Sequence, residues 1–206
     1  MFYWVKTPNW VSKIWPSLIW QMPAKRGDVY ISFDDGPHPT VTPWVLKTLE
    51  NYQAKASFFC IGDNVIKYPS VFQQVLAAGH TIGNHTYRHY NAWHVSKQQY
   101  VKDIQEAEIL INSELFRPPY GKISPWLANS ILRQTNVKKI VMWTVLSADF
   151  DTEISSEQVV NNVMNNVQPG SIIVFHDSEK AFPHLQKALP ALLQHCQKMD
   201  WICKAL

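Results

Sequence analysis

The chain has 206 residues, 46% hydrophobic and 13% aromatic, with a formal net charge of +3. That is too much apolar material for a disordered chain, and without a run of five or more Lys/Arg there is no charge footprint for nucleic acid. Its three cysteines, Cys60, Cys196 and Cys203, form no Cys-x-x-Cys pair, which excludes a cysteine-rich zinc site and argues against a disulfide framework.

Residues 1–27 hold Trp4, Trp10, Trp15 and Trp20. Lys6, Pro8, Asn9 and Lys13 interrupt any secretory apolar core, and no stretch of the chain reaches the roughly 18 apolar residues of a membrane span. The segment is expected to pack across the base of the domain, the alternative being docking on a membrane interface or a partner. Val29–Phe33 then reads as a strand. Residues 42–52 read as a helix with Thr42 as N-cap and Pro43 in the first turn. "ASFFCIG" is a second strand, with Cys60 as a small buried hydrophobe. "NVIKYPSVFQQVLAAG" is helical, broken or restarted at Pro69 and closed by Gly79. "HTIGN" is a third strand. Ser96 and Gln99 form a capping-box pattern for a helix reaching about Asn112. "LFRPPY" begins a fourth strand that stops at its prolines. "SPWLANSILRQ" is helical and "KKIVMWTV" a fifth strand. Ser155 with Gln158 offers another capping box. "SIIVFH" is a sixth strand, "HLQKALPALLQHCQKM" a helix despite Pro190, and "WICKAL" a seventh strand.

Strand and helix alternate along the whole chain, and the strands are almost continuously apolar, as in a parallel sheet buried on both faces. This predicts one parallel α/β domain, a barrel or an open doubly wound sheet. Gly-x-Gly-x-x-Gly and Walker A loops are absent, so nucleotide-binding versions lose their best signal.

The unusual polar residues all fall at C-terminal ends of predicted strands: Asp34 and Asp35, His85 and His89, Arg117 and Tyr120, Asp149 and Asp151, and His176. In a parallel barrel those ends share one face, which carries the active site. Singly, each has a plain structural reading. Asp-Gly is turn chemistry, a His-x-x-x-His pair can arise by chance among eight histidines, and His176 could be a core-edge imidazole bonded to backbone. His80, His94, His184 and His195 are read as structural or solvated. Together the rim residues fit one chemistry. Two histidines and a carboxylate supply three ligands of a zinc-type site with a position open for water. Such a cation lowers the water's pKa to about 7 and polarises a carbonyl. One aspartate could neutralise the metal while its neighbour takes the water's proton, an arginine aiming the base and a histidine protonating the leaving group. The reaction class is metal-assisted hydrolysis of an amide or ester.

In this arrangement "SFDDGP", "HTYRH", "RPPYG", "SADF" and "VFH" follow one another between Tyr30 and His176. The chain resembles the polysaccharide deacetylases, the carbohydrate esterase family built on the NodB homology domain. The resemblance implies a distorted (β/α) barrel of about seven parallel strands over residues 28–206. It also implies a divalent metal, most often zinc, with cobalt, nickel or manganese as alternatives. The implied reaction removes acetyl from N-acetylglucosamine units of chitin-like sugars or peptidoglycan, or O-acetyl from xylan. By position Asp34 would be the base, with Arg117 orienting it. Asp35, His85 and His89 would be the metal ligands. The backbone N–H of Tyr120 would serve the oxyanion. His176 would be the acid, with Asp149 as its partner. Val174 and Phe150 would line the acyl pocket. Leu146 stands where the family has the first Asp of its fourth motif, Phe150 where it has Trp, and Val174 where it has Leu. These departures bear on the acyl pocket rather than on the reacting groups. A hydrolase of small non-sugar amides and an inactive sugar-binding module are the competing readings. The full ligand set argues against the first, and the presence of Asp34 and His176 against the second. The partner expected is an acetylated amino-sugar oligomer or polymer as substrate, with no nucleic acid, and the protein itself is expected to be a monomer; no exporting signal is visible and cellular location is open.

Overall fold

The computed structural model describes residues 3–24 and 27–206; Met1, Phe2, Lys25 and Arg26, all in the expected N-terminal segment, lie outside the described residues. After a short helix α1 (Asn9–Ile14), strands and helices alternate: β1 (Asp28–Asp34), α2 (Val41–Asn51), β2 (Ser57–Cys60), α3 (Gly62–Lys67), α4 (Pro69–Ala77), β3 (Thr81–Asn84), α5 (Lys97–Glu108) and β4 (Leu115–Phe116). A 3-10 turn at Pro119–Gly121 leads into α6 (Pro125–Gln134), β5 (Lys139–Ile140), β6 (Val145–Leu146), α7 (Ser156–Met164), β7 (Ile172–His176), α8 (Phe182–Lys198) and β8 (Ile202–Lys204).

The main path of the sheet is β5-β4-β3-β2-β1-β7-β6, and its pairs are parallel. This is the curled, barrel-like α/β sheet that the resemblance implies, one of the two architectures the alternation leaves open. β8, within the expected strand "WICKAL", lies off that path and pairs with β1. Its residues Ile202–Lys204 pair with Asp28–Tyr30, whereas β2 pairs with Ser32–Asp34, so the two divide one edge of β1 between them.

Strand parity decides what faces where. Val29, Ile31 and Phe33 point outward and pack with Phe58, Phe175, Val45, Leu49, Leu189 and Leu192 in the layer between sheet and helices. Each fully buried side chain of this size contributes about 1.5–3 kcal/mol. The alternate positions point inward, where Tyr30, Phe59, Leu115, Val141 and Ile172 plug the barrel. Continuing up the inward rows brings Ser32 and Asp34 on β1 into register with Val174 and His176 on β7. The inner row therefore changes from apolar to reactive over two residue steps.

Several local expectations are corrected. Thr40, not Thr42, is the N-cap of α2. Thr42 sits inside the helix, its hydroxyl accepting from the His38 N–H and lying 2.5 Å from Asp177 Oδ2. The run "KKIVMWTV" is not one strand; it splits into β5 and β6 because the N-terminal segment enters between them. Ile19 bridges Val141 in parallel and Lys6 bridges Val145 antiparallel. The Ile19 N–H donates to Ile140 O, the Met142 N–H to Ile19 O and the Leu146 N–H to Val5 O. The segment expected across the base thus lies along the seam of the barrel. At Ser96 the hydroxyl accepts from the Gln99 N–H, and α5 stops at Glu108 rather than near Asn112. Both halves of the Ser155–Gln158 capping box are present. Among the described residues no helix is long and apolar enough to cross a membrane.

Candidate active site

The ten residues given roles by the resemblance lie at the upper rim of the barrel or in the inward rows just beneath it. The loop after β1 carries Asp34 and Asp35. Asp34 is 4% exposed, and its Oδ1 receives Nη1 of Arg117 at 2.7 Å. Arg117 is fully buried and every arm is used: Nη1 also meets Ser32 Oγ at 2.8 Å, Nε donates to Val141 O at 3.2 Å and Nη2 to Met142 O at 3.1 Å. Its guanidinium lies 4.1 Å from the Phe59 ring centroid, a cation–π contact. Burial draws Arg117 below the usual arginine range, and Asp34 opposes that.

Asp35 points into a different group. Its Oδ1 lies 3.2 Å from Nε2 of His89 and 3.7 Å from Nε2 of His85, and donor atoms of the three residues lie within 4.8 Å of one another. The other nitrogen of His85, Nδ1, is 2.7 Å from the Arg117 carbonyl oxygen. A carbonyl can only accept, so Nδ1 carries the proton and Nε2 presents a lone pair. Burial, reinforced by His89, pulls His85 down to about 4 against the pull of Asp34 and Asp35, which keeps it neutral. Burial also works against ionisation of Asp35, but the imidazoles of His89, His176 and His85 outweigh it and hold the carboxyl well below the usual range. Asp35 Oδ1 is nevertheless buried without a hydrogen-bond partner. A buried anionic oxygen without a donor, facing two imidazole nitrogens, fits a divalent cation, and one carboxylate with two histidines suits zinc.

On the facing side His176 Nδ1 lies 2.7 Å from Asp149 Oδ1, and the His176 N–H donates to Asp149 Oδ2 at 2.8 Å. Burial pulls His176 down, but the charge and hydrogen bond of Asp149, helped by Asp35 and Asp34, raise it to about 9. It is therefore protonated at neutral pH, with Nε2–H free of the Asp149 contact. Phe150 sets its ring edge-on to His176 at 5.1 Å. Val174 is buried, in register with Leu146 and beside the base of the site. The Tyr120 ring lies tilted against His89, with centroids 4.7 Å apart, and the residue is 55% exposed.

The backbone around these groups is strained. Asp35, Thr86, His89, Tyr120 and Ala148 all have positive φ (56° to 80°) without being glycine. Each such residue costs about 1–3 kcal/mol and persists only where its surroundings dictate it. Here they do. Thr86 Oγ1 accepts from the His89 N–H, and Asn84 Oδ1 accepts from the Thr86 N–H. Asn64 donates to the Asp35 carbonyl at 2.7 Å.

The sequence profile of the polysaccharide deacetylases matches residues 21–140. The chain belongs to the polysaccharide deacetylase family. The matched span ends before Asp149 and His176, which the structure places opposite the other family motifs. A peptidoglycan-N-acetylglucosamine deacetylase of Bacillus cereus is 35% identical over 191 residues, covering 89% of this chain and 66% of that protein, just under two thirds of its length. A chitooligosaccharide deacetylase of Azorhizobium caulinodans is 35% identical over 159 residues, covering 74% of each. The solved structure of a peptidoglycan N-acetylglucosamine deacetylase superposes with a TM-score of 0.84 at 29% identity, covering 97% of this chain and 95% of that chain.

Some supporting residues escaped the sequence reading. Asp177, beside His176, is buried, accepts from the Gly36 N–H at 3.0 Å and meets the Thr42 hydroxyl. Burial, helped by the charge of Asp35, lifts its carboxyl to about 8. Asp103 accepts from the N–H groups of Tyr87 and Arg88, both at 2.9 Å, and from the Arg88 guanidinium, clamping the His85–His89 loop. A signal existed for Asp103: it lies on the face of α5 that buries Tyr100, Val101 and Ile104, where a carboxylate needs partners.

Proposed function

We propose that the protein is a metal-dependent N-deacetylase of N-acetylglucosamine-containing sugars, chitin-like oligosaccharides or peptidoglycan. The observation that carries this reading is the placement of two separately wired carboxylates, Asp34 on Arg117 and Asp35 among His85 and His89, opposite His176 paired with Asp149. Asp35, His85 and His89 would hold a divalent cation, zinc being the choice their donor set favours, and that cation would supply Lewis-acid polarisation for hydrolysis of the acyl group. Asp34 takes the proton from the attacking water, held at one angle by Nη1 of Arg117. The Tyr120 N–H, on the turn its left-handed φ of 59° creates, donates to the oxyanion. His176 delivers its Nε2 proton to the amine as the carbon–nitrogen bond breaks, and Asp149 stabilises the imidazolium until then. Phe150 and Val174 line the acyl side.

Acetate release from chitooligosaccharides, peptidoglycan and acetylxylan, each with and without added zinc, tests the reading. Zinc-dependent release from the first two supports it. Release from acetylxylan alone makes the protein an esterase, and no release from any of them removes the proposal.

A further inference from the structure

The N-terminal segment does more than seal the seam. The Leu146 N–H bonds Val5 O at 2.8 Å, the Thr7 N–H bonds Thr144 O at 2.9 Å and Thr7 Oγ1 bonds Trp143 O at 2.8 Å. This antiparallel ladder fixes the direction of the segment and delivers the residue two positions before Val5 to the rim. There Tyr3 donates its hydroxyl to Asp151 Oδ2 at 2.7 Å, and its ring packs edge-on against Phe150 with centroids 5.7 Å apart. Phe150 in turn lies edge-on to His176. Asp149, Phe150 and Asp151 belong to one tight turn, closed by the Asp151 N–H on Ala148 O at 3.0 Å with Ala148 at a φ of 63°. One N-terminal side chain therefore braces the turn that carries both neighbours of the proposed acid.

We propose that Tyr3 is a positioning residue of the active site: its bond to Asp151 and its ring contact with Phe150 hold Phe150 and Asp149 in place around His176. This rests on the deacetylase reading for its kinetic consequence, but not for its structural one. Tyr3 touches no reacting atom, so its loss acts on turnover through His176 rather than on sugar binding. The ring and hydroxyl have separable parts, the ring setting the angle of Phe150 and the hydroxyl fixing the turn. Burial and the bond to Asp151 push the Tyr3 hydroxyl up to about 12, so it stays a donor across the working pH range.

The test compares wild type, Tyr3→Phe, Tyr3→Ala and Trp10→Ala in the full chain. Trp10 packs edge-on against Trp4 in the same segment and controls for general loosening. With a chitooligosaccharide as substrate, Tyr3→Ala is expected to lower kcat about tenfold with KM within about twofold, because small misplacements of a reacting group cost rate rather than binding. Tyr3→Phe should recover part of that loss and Trp10→Ala should match wild type. In parallel, the ring-proton NMR signals of His176 report the Phe150 ring current without any turnover, and Tyr3→Ala should shift them. Unchanged His176 signals overturn the proposal, as does an unchanged kcat, or a loss shared equally by Trp10→Ala. If wild type releases no acetate, the functional reading fails while the NMR comparison still decides the role of Tyr3.

Discussion

The carbonyl oxygen of Arg117 receives Nδ1–H of His85 at 2.7 Å while its guanidinium holds Asp34 at the same distance. One residue thus sets the tautomer of a proposed metal ligand with its backbone and the angle of the proposed base with its side chain. The two halves can be separated. Arg117→Lys keeps the carbonyl but loses the planar fork. It should retain metal, measured by elemental analysis, while kcat falls about 10²-fold or more. Arg117→Met leaves Asp34 buried without a counter-charge and should destabilise the fold by about 3–5 kcal/mol in urea titration.

Asp34→Asn removes the proton acceptor without touching the Asp35, His85 and His89 cluster. Turnover should drop about 10²–10⁴-fold with metal content unchanged. Steady-state rates near those of wild type would take the base assignment away from Asp34.

Much of this was legible in the sequence, for physical reasons. A parallel sheet makes its strands continuously apolar and places its reactive residues after them, so Asp34, His85, Arg117, Asp149 and His176 could each be read from a run of apolar residues that ends in a polar one. What stayed hidden depends on contacts across the fold. "KKIVMWTV" has the composition of one strand, and nothing local says that Ile19 and Lys6 will divide it. Tyr3 lies 148 positions from Asp151, and only the ladder to Leu146 brings the two together. Thr42 looks like a cap because it precedes Pro43, yet its hydroxyl faces Asp177 from inside the helix.

The buried acids and His176 give stability a pH dependence that chelator-treated protein should show. His176 is raised to about 9 in the fold. Its stabilising contribution is fully present below about pH 6.5, the unfolded value, and is lost as pH rises through about 9. Asp177 is raised from 3.8 to about 8, so the fold keeps a proton that the unfolded chain releases, and stability falls as pH rises across that interval. Urea midpoints measured from pH 6.5 to 10 should decline throughout; below pH 6.5, His80 and His85, both pulled down to about 4, act in the opposite sense. Asp177→Asn should flatten the lower part of the decline and Asp149→Asn the upper part. A midpoint that rises with pH above 6.5 contradicts both assignments.

A Cβ on Gly36 would lie 2.1 Å from Asp177 Oδ2 and 2.6 Å from its Oδ1. Gly36→Ala must therefore push apart the loop that carries Asp34 and Asp35. It should cost about 1–3 kcal/mol, the usual penalty of overpacking, and lower metal affinity along with it. Thermal melts with and without zinc check this: the zinc-induced rise in Tm should shrink relative to wild type.

The central claim is that one cation, held by Asp35, His85 and His89, is required for acetate release. It is tested by titrating zinc into chelator-treated protein while following acetate released from a chitooligosaccharide. Activity should climb from near zero and level off at one equivalent of bound metal, and His89→Ala should bind less and release little. Full activity in the chelator-treated protein, or undiminished zinc binding in His85→Ala and His89→Ala, would contradict it.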